Sequence, residues 1–207
     1  MKISYAITVC NEFIEIQRLI SFLLQRKRSE DQIVVLFDEA NGDPEIEQYL
    51  RTHSINSEFV WHKGAFDRHF ADWKNKLTNY CTGDYIFQID ADEMPVDSLI
   101  ENLPSILEAN PDVDVYIVPR INTVVGLTAD HIQRWGWNLN ENGFINFPDY
   151  QWRIYKNKPE IVWINKVHER LNGYKQFAAL PAEVDFCLEH HKTIAKQEKQ
   201  NELYAKL

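Results

Sequence analysis

Over residues 1–120, short segments apolar on both faces alternate with longer ones apolar at every third or fourth position. Ile3–Val9, Ile33–Phe37, Glu58–Trp61, the run from Tyr85 toward Asp92, and Val113–Val118 read as strands. Phe13, Ile16, Ile20, Leu23 and Leu24 mark a first helix capped by Asn11, and Ile46, Tyr49 and Leu50 a second, started by Asp43 and Pro44. Phe66, Phe70, Trp73, Leu77 and Tyr80 mark a third helix, and Leu99, Ile100, Leu103, Ile106 and Leu107 a fourth. Strands buried on both faces need helices on both sides, so the pattern specifies an α/β chain with a mostly parallel central sheet. Beyond Arg120 the period is lost in a stretch rich in Asn, Gly and Trp, expected to form loops and short helices. Strands are expected again at Gln151–Tyr155, Ile161–Ile164 and Glu183–Leu188, and a polar closing helix over Thr193–Leu207.

Length fits one domain with a core that buries about 70% of the unfolded-chain surface. A net charge of −9 argues against a general nucleic-acid binder, which needs a basic footprint. Cys10, Cys81 and Cys187 match no zinc or redox spacing, and so read as reduced thiols of a cytoplasmic protein. No apolar run reaches the ~18 residues of a membrane span, and the amino end carries no signal peptide. The sequence stops inside its last expected helix, as a piece of a longer multidomain chain would.

The segment Tyr85 to Pro95 turns from an apolar strand into three carboxylates, Asp90, Asp92 and Glu93, and stops at a proline. Residues two apart in a strand share a face, so a strand persisting to Asp92 projects Asp90 and Asp92 together. They would leave its carboxyl end, where open α/β sheets bind ligands. Two adjacent hard oxygen ligands suit Mg²⁺ or Mn²⁺, ions that usually arrive with a phosphate. Chance alone supplies about one D-x-D triplet in a chain with this much Asp. A second triplet, Asp112–Asp114, follows Asn110-Pro111 and reads as a turn.

Thr8, Val9, Cys10, Asn11 and Glu12 stand at the end of the first strand, and Asp38-Glu39 at the end of the second. Lys74 and Asn75 lie in the aromatic helix. Val167-His168-Glu169 offers a general base beside an orienting imidazole. In Glu189-His190-His191-Lys192, adjacent histidines in a strand point to opposite faces, so one of them can complete an Asp-based metal site. Trp135-Gly136-Trp137 offers aromatic faces on which an acceptor sugar can stack.

In this order, the segments resemble the family 2 glycosyltransferases of the GT-A fold. Ile7-Thr8-Val9-Cys10-Asn11-Glu12 is similar to that family's first-strand motif, and Val35-Leu36-Phe37-Asp38 to a second-strand motif ending in Asp-Asp, with Phe37 in place of the first Asp. Trp73-Lys74-Asn75 is similar to an A-R-N segment with Lys74 for Arg. Thr82-Gly83-Asp84-Tyr85-Ile86 with Asp90-Ala91-Asp92-Glu93 is similar to the family's G-D-W-I and D-A-D-E run. Arg153-Ile154-Tyr155-Lys156-Asn157, Val167-His168-Glu169 and His190-His191-Lys192 resemble a branch that includes lipopolysaccharide-core glucosyltransferase-like proteins.

The resemblance implies one GT-A domain over 1–207, with a Rossmann-like nucleotide-sugar half (1–120) and an acceptor half with a closing helix (121–207). It implies inverting transfer from a nucleoside-diphosphate sugar, UDP-linked by expectation, to a hydroxyl of a glycan or glycolipid, with Mn²⁺ or Mg²⁺. By the same implication Thr8, Val9, Asn11, Glu12, Asp38, Lys74, Asp90, Ala91, Arg153 and Lys192 contact the donor. Asp90, Asp92 and His190 serve the metal. Inversion needs one carboxylate to deprotonate the acceptor. The family's Glu-Asp pair is absent from the second half, which leaves Glu169, with Asp149 behind it. Two rivals remain. A sugar-nucleotide-forming nucleotidyltransferase would want a Gly-rich phosphate loop, and Thr8 to Arg18 contains no glycine. A catalytically weak, glycosyltransferase-like domain would bind nucleotide sugar or glycan without turnover.

Overall fold

A computed structural model describes residues 1–55 and 59–204, with the backbone alone at residues 200 and 202–204. The chain order is β1 (Ile3–Val9), α1 (Phe13–Arg26), β2 (Gln32–Asp38), α2 (Pro44–Ser54), β3 (Phe59–Gly64), α3 (Phe70–Thr78) and β4 (Tyr85–Asp90). It continues with β5 (Met94–Pro95), α4 (Asp97–Ala109), β6 (Val115–Val125), α5 (Ala129–Trp135), β7 (Asp149–Lys156), β8 (Val162–Ile164) and β9 (Arg170–Asn172). β10 (Phe177–Ala179), a 3-10 turn at Val184–Phe186, β11 (Leu188–Thr193) and α6 (Ile194–Tyr204) complete it. The central sheet runs β3-β2-β1-β4-β7-β6-β11-β5, with β10 added beside β6, while β8 and β9 pair apart from it.

The first half follows the expected logic. β3, β2, β1 and β4 are parallel. Their side chains alternate between two cores, as period 2 requires. Ile3, Tyr5, Ile7, Ile33, Val35 and Phe37 pack with α1, α2 and α4, whereas Ala6, Val34 and Leu36 pack with α3. The carboxyl ends of β1, β2 and β4 therefore share one edge, with Thr8 opposite Asp90 in the β1·β4 register. In the second half the sheet becomes mixed, because β7 runs antiparallel to both β4 and β6.

Several local expectations are corrected. Glu12, not Asn11, holds the N-cap position of α1, and its Oε2 accepts from the Cys10 and Asn11 amides at 2.9 Å each. The third helix begins only at Phe70, since Arg68 adopts a left-handed φ of 68° and His69 caps. Phe66 still packs on Phe70 and Trp73, which gives the sequence its helix-like spacing there. β4 stops at Asp90, so Asp92 lies in a turn and not on the same strand face. The strand expected at Glu183–Leu188 is a 3-10 turn, and β11 follows it because β6 extends to Val125 and pairs with Leu188–Thr193. That shift puts His190 and Lys192 on a buried face and leaves His191 exposed. Glu58 and residues 205–207, part of the expected third strand and closing helix, lie outside the described residues. Among the described residues no helix is long and apolar enough to cross a membrane.

Ile7 sits fully buried in the centre of the parallel sheet. Ile7→Ala is expected to lower unfolding free energy by about 2–5 kcal/mol, measured by urea titration.

Candidate functional site

The edge where β1, β2 and β4 end carries the sequence-identified cluster, and the second half closes over it. Asp90 is the meeting point. Its Oδ2 accepts from Arg153 Nη2 at 2.8 Å, and its Oδ1 from Gln88 Nε2 at 2.9 Å and Thr8 Oγ1 at 3.3 Å. The Lys74 ammonium stands 3.8 Å away. Burial alone would raise the Asp90 pKa, but Lys74 and then Arg153 outweigh it and hold the carboxyl well below its ordinary range. Ala91 is buried, its amide donating to Thr8 O.

Lys74 is 3% exposed and lies 4.7 Å above the Trp163 ring. Its Nζ contacts Glu169 Oε1 at 2.5 Å. That reach is built by α3: Asn75 exchanges two 2.9 Å hydrogen bonds with the backbone of Trp163, and Phe70 N donates to Lys166 O. The strand β8 and the turn after it are thereby docked on the helix that carries Lys74. Glu169 thus meets a cation from the first half, while His168 beside it is exposed with a left-handed φ of 53°.

A second carboxylate, Glu93, is 1% exposed and clasped by two guanidiniums. Arg153 Nε reaches Oε2 at 2.9 Å and Nη2 reaches Oε1 at 2.7 Å, while Arg120 Nη1 reaches Oε1 at 2.8 Å. Burial would raise its pKa; Arg153 and Arg120 more than offset this and lower it. Arg153 lies at a bulge: β6 pairs Tyr116 with Ile154 and Ile117 with Trp152, leaving Arg153 without a residue opposite. Bulges re-aim side chains beside functional sites, and here the arginine turns toward Asp90 and Glu93.

Arg120 also grips Asp149 Oδ2 through Nε at 3.0 Å and Nη2 at 2.7 Å. Asn122 Nδ2 donates to that same oxygen at 2.8 Å, and Gln151 Nε2 donates to Oδ1. Burial pushes the Asp149 pKa up, but Arg120 and these amides bring it below the ordinary range. Asn122 Oδ1 is 2.7 Å from His190 Nδ1, and His190 Nε2 is 3.3 Å from Asp92 Oδ2. Lys192 Nζ lies 3.9 Å from the same oxygen. Burial, which raises the Asp92 pKa, is outweighed by the His190 contact. Burial lowers that of Lys192, with Asp92 opposing.

Asp92 and His190 are brought together as the sequence implied. Asp90 makes its own hydrogen bonds with Arg153, Gln88 and Thr8. Among the described residues no group of three His, Cys, Asp or Glu side chains is arranged to hold an ion alone. One carboxylate and one imidazole nevertheless fit Mn²⁺ or Mg²⁺ that arrives with phosphates, since such ions keep few protein ligands.

Asp38 ends β2 at 2% exposure. Its Oδ1 accepts from the Ala40 and Phe66 amides at 3.1 Å each, and Oδ2 from Asn41 Nδ2 at 2.9 Å. The residue ties two loops together at the edge. A Cβ at Gly42 would stand 2.2 Å from Asp38 O, so that turn needs glycine. Val9 is buried, Asn11 is exposed, and the Cys10 thiol is pushed up to about 12 by burial and by Asp38. Trp135 and Trp137 cluster with centroids 4.7 Å apart, both half-buried.

The sequence reading gave no role to Glu93, Arg120, Asn122 or Gln88. The signal for Arg120 and Asn122 was present, since both share one face of β6 once that strand is carried past Val118.

The family model described as glycosyl transferase family 2 matches residues 4–174. A search of curated proteins finds no match. Among solved structures, S. aureus TarS 1-349 is similar, with a TM-score of 0.64 and 12% identity over 92% of this chain and 60% of that one. TarS 1-349 in complex with UDP-GlcNAc gives 0.65 and 13%, over 93% of this chain and 59% of that one. The complex with UDP gives 0.59 and 12%, over 89% and 62%. This chain thus spans less than two thirds of the TarS 1-349 length, and the likeness is one of fold, GT-A glycosyltransferase architecture.

Removing Glu93 would leave two buried guanidiniums facing each other. Glu93→Ala is expected to cost about 3–5 kcal/mol in urea unfolding at neutral pH. Asp90 and Glu93 have folded pKa values below their unfolded ones. Their stabilisation is complete above the unfolded value of about 4 and is lost as pH falls through the folded values. Unfolding free energy should therefore decline from about pH 5 downward, and less steeply in Glu93→Ala.

Proposed function

The chain belongs to glycosyl transferase family 2, and on that premise we propose that it moves a sugar, with inversion, from a UDP-linked donor to a hydroxyl of a glycan or glycolipid. The observation that carries the reading is the meeting at Lys74. Its ammonium joins Asp90, from the donor half, to Glu169, from the acceptor half. An acceptor-side carboxylate beside the donor edge is what a single inverting displacement requires.

In this reading Thr8, Val9, Asn11, Glu12, Asp38 and Ala91 frame the nucleoside, Asp38 by fixing the loops around it. Lys74 and Lys192 present positive charge toward the diphosphate, and Arg153 acts through Asp90. Asp92 and His190 would hold Mn²⁺ or Mg²⁺, which as a Lewis acid offsets the charge developing on the leaving diphosphate. Glu169 takes the proton of the acceptor hydroxyl as its oxygen bonds to the anomeric carbon and the bond to the diphosphate oxygen breaks. Lys74 orients that carboxylate. Asp149 ranks behind it, because its oxygens already accept four hydrogen bonds. The acceptor class follows from the branch resemblance of the V-H-E and H-H-K segments, and Trp135 and Trp137 are proposed as its platform. The cytoplasm is the proposed compartment, in keeping with three cysteines that form no disulfide.

The Lys74–Glu169 pair also favours a second reading, in which Glu169 only braces the turn and the domain binds nucleotide sugar with little turnover. A general base contributes about 10²–10⁴-fold. Glu169→Gln is therefore expected to lower transfer at least about a hundredfold, with the donor Kd changed less than about threefold, roughly 0.7 kcal/mol. A lower melting temperature with an unchanged rate per folded molecule would instead support the bracing role.

A further inference from the structure

We propose that Asn122, itself oriented by Asp149, is a positioning residue that fixes the neutral tautomer of His190, with Nδ1 protonated and the Nε2 lone pair turned toward Asp92. The inference rests on the reading above, in which Asp92 and His190 hold a divalent ion.

The argument is one of donor and acceptor bookkeeping. A primary amide has one donating and one accepting end, and an ionised carboxylate only accepts. Asp149 is held by two N–H groups of Arg120, so the Asn122 end that faces it at 2.8 Å must be the NH₂. The opposite end, Oδ1, then faces His190 Nδ1 at 2.7 Å and can only accept. Nδ1 must carry its proton. In the neutral ring Nε2 then bears a lone pair, 3.3 Å from an oxygen of Asp92. A proton on Nε2 closes this contact with Asp92, and a divalent ion held by the lone pair and the carboxylate would take that proton's place. The relay thus builds a cation-seeking pair out of one histidine and one aspartate.

Strand register explains why the relay exists. Arg120 is opposite Asp149 in the β6·β7 pair, and Asn122 is opposite His190 in the β6·β11 pair. Arg120 and Asn122 are two apart on β6 and so share a face. Three strands deliver the four residues in line. Metal-ligating histidines commonly have the second nitrogen held by such a partner, and loss of the partner typically costs 10–100-fold in affinity.

The test begins with the wild-type chain labelled with ¹⁵N-histidine, at a pH where the ring is neutral, the His190 signals being those absent from His190→Gln. Protonated Nδ1 with unprotonated Nε2 is expected, and the opposite tautomer overturns the proposal without any reliance on a variant's folding. Mn²⁺ binding in the presence of UDP is then followed by the electron paramagnetic resonance of the free ion. Asn122→Leu is expected to weaken it about 10–100-fold, while UDP affinity in EDTA stays within about threefold. Wild-type Mn²⁺ affinity in Asn122→Leu, with His190→Gln weakened, overturns the positioning role alone. Wild-type affinity in His190→Gln overturns the metal reading beneath it.

Discussion

The buried carboxylate of Glu93 is the joint between the two halves of the chain. It sits in the turn after β4, where its Oε2 also accepts the Asp90 amide at 3.2 Å, and its partners come from β6 and β7. A charge removed from water is costly unless it is paired and hydrogen-bonded. Both Glu93 oxygens are satisfied by guanidinium and backbone donors, so the turn has one low-energy arrangement. An apolar cluster of the same volume would hold the halves together as well, but it would not specify where the carboxylates point.

From that joint a continuous path of contacts runs Asp90, Arg153, Glu93, Arg120, Asp149, Asn122, His190, Asp92. It begins and ends on the two aspartates of one three-residue motif. The first half supplies Asp90 and Asp92, and the second half adds Arg153 to the one and His190 to the other. Most internal members have two or more partners, so the loss of one weakens its neighbours without leaving them all unpaired. The two halves are therefore joined by this ion path as well as by the apolar clusters that both halves share.

The parallel half was legible because burial on both faces leaves little choice. β1 runs Ile3–Val9 as its apolar run specified, and Asp43-Pro44 starts α2 as cap chemistry requires, with Asp43 Oδ1 accepting the Glu45 amide. That Asp92 and His190 would approach each other was legible from residue type near strand ends, and they meet at 3.3 Å. The mixed half was legible only in part: β7 and β8 lie where strands were expected, but β6 runs on to Val125 and the strands pair with segments distant in sequence. β9 and β10 are three residues each and carry no period. Phe66 misled because an aromatic stripe made by a loop packing on a helix has the same spacing as one made by a longer helix. The ion path was hidden for a different reason: Glu93, Arg120 and Asp149 are neighbours only through register, and charge type alone does not distinguish a buried arginine from a solvated one.

The most direct test of the central claim is a calorimetric titration of the unaltered protein with UDP, once in Mn²⁺ and once in EDTA. If Asp92 and His190 hold an ion that bridges the diphosphate to the protein, binding in EDTA should be weaker by at least about tenfold, or 1.4 kcal/mol. Equal affinity in the two conditions would contradict the account.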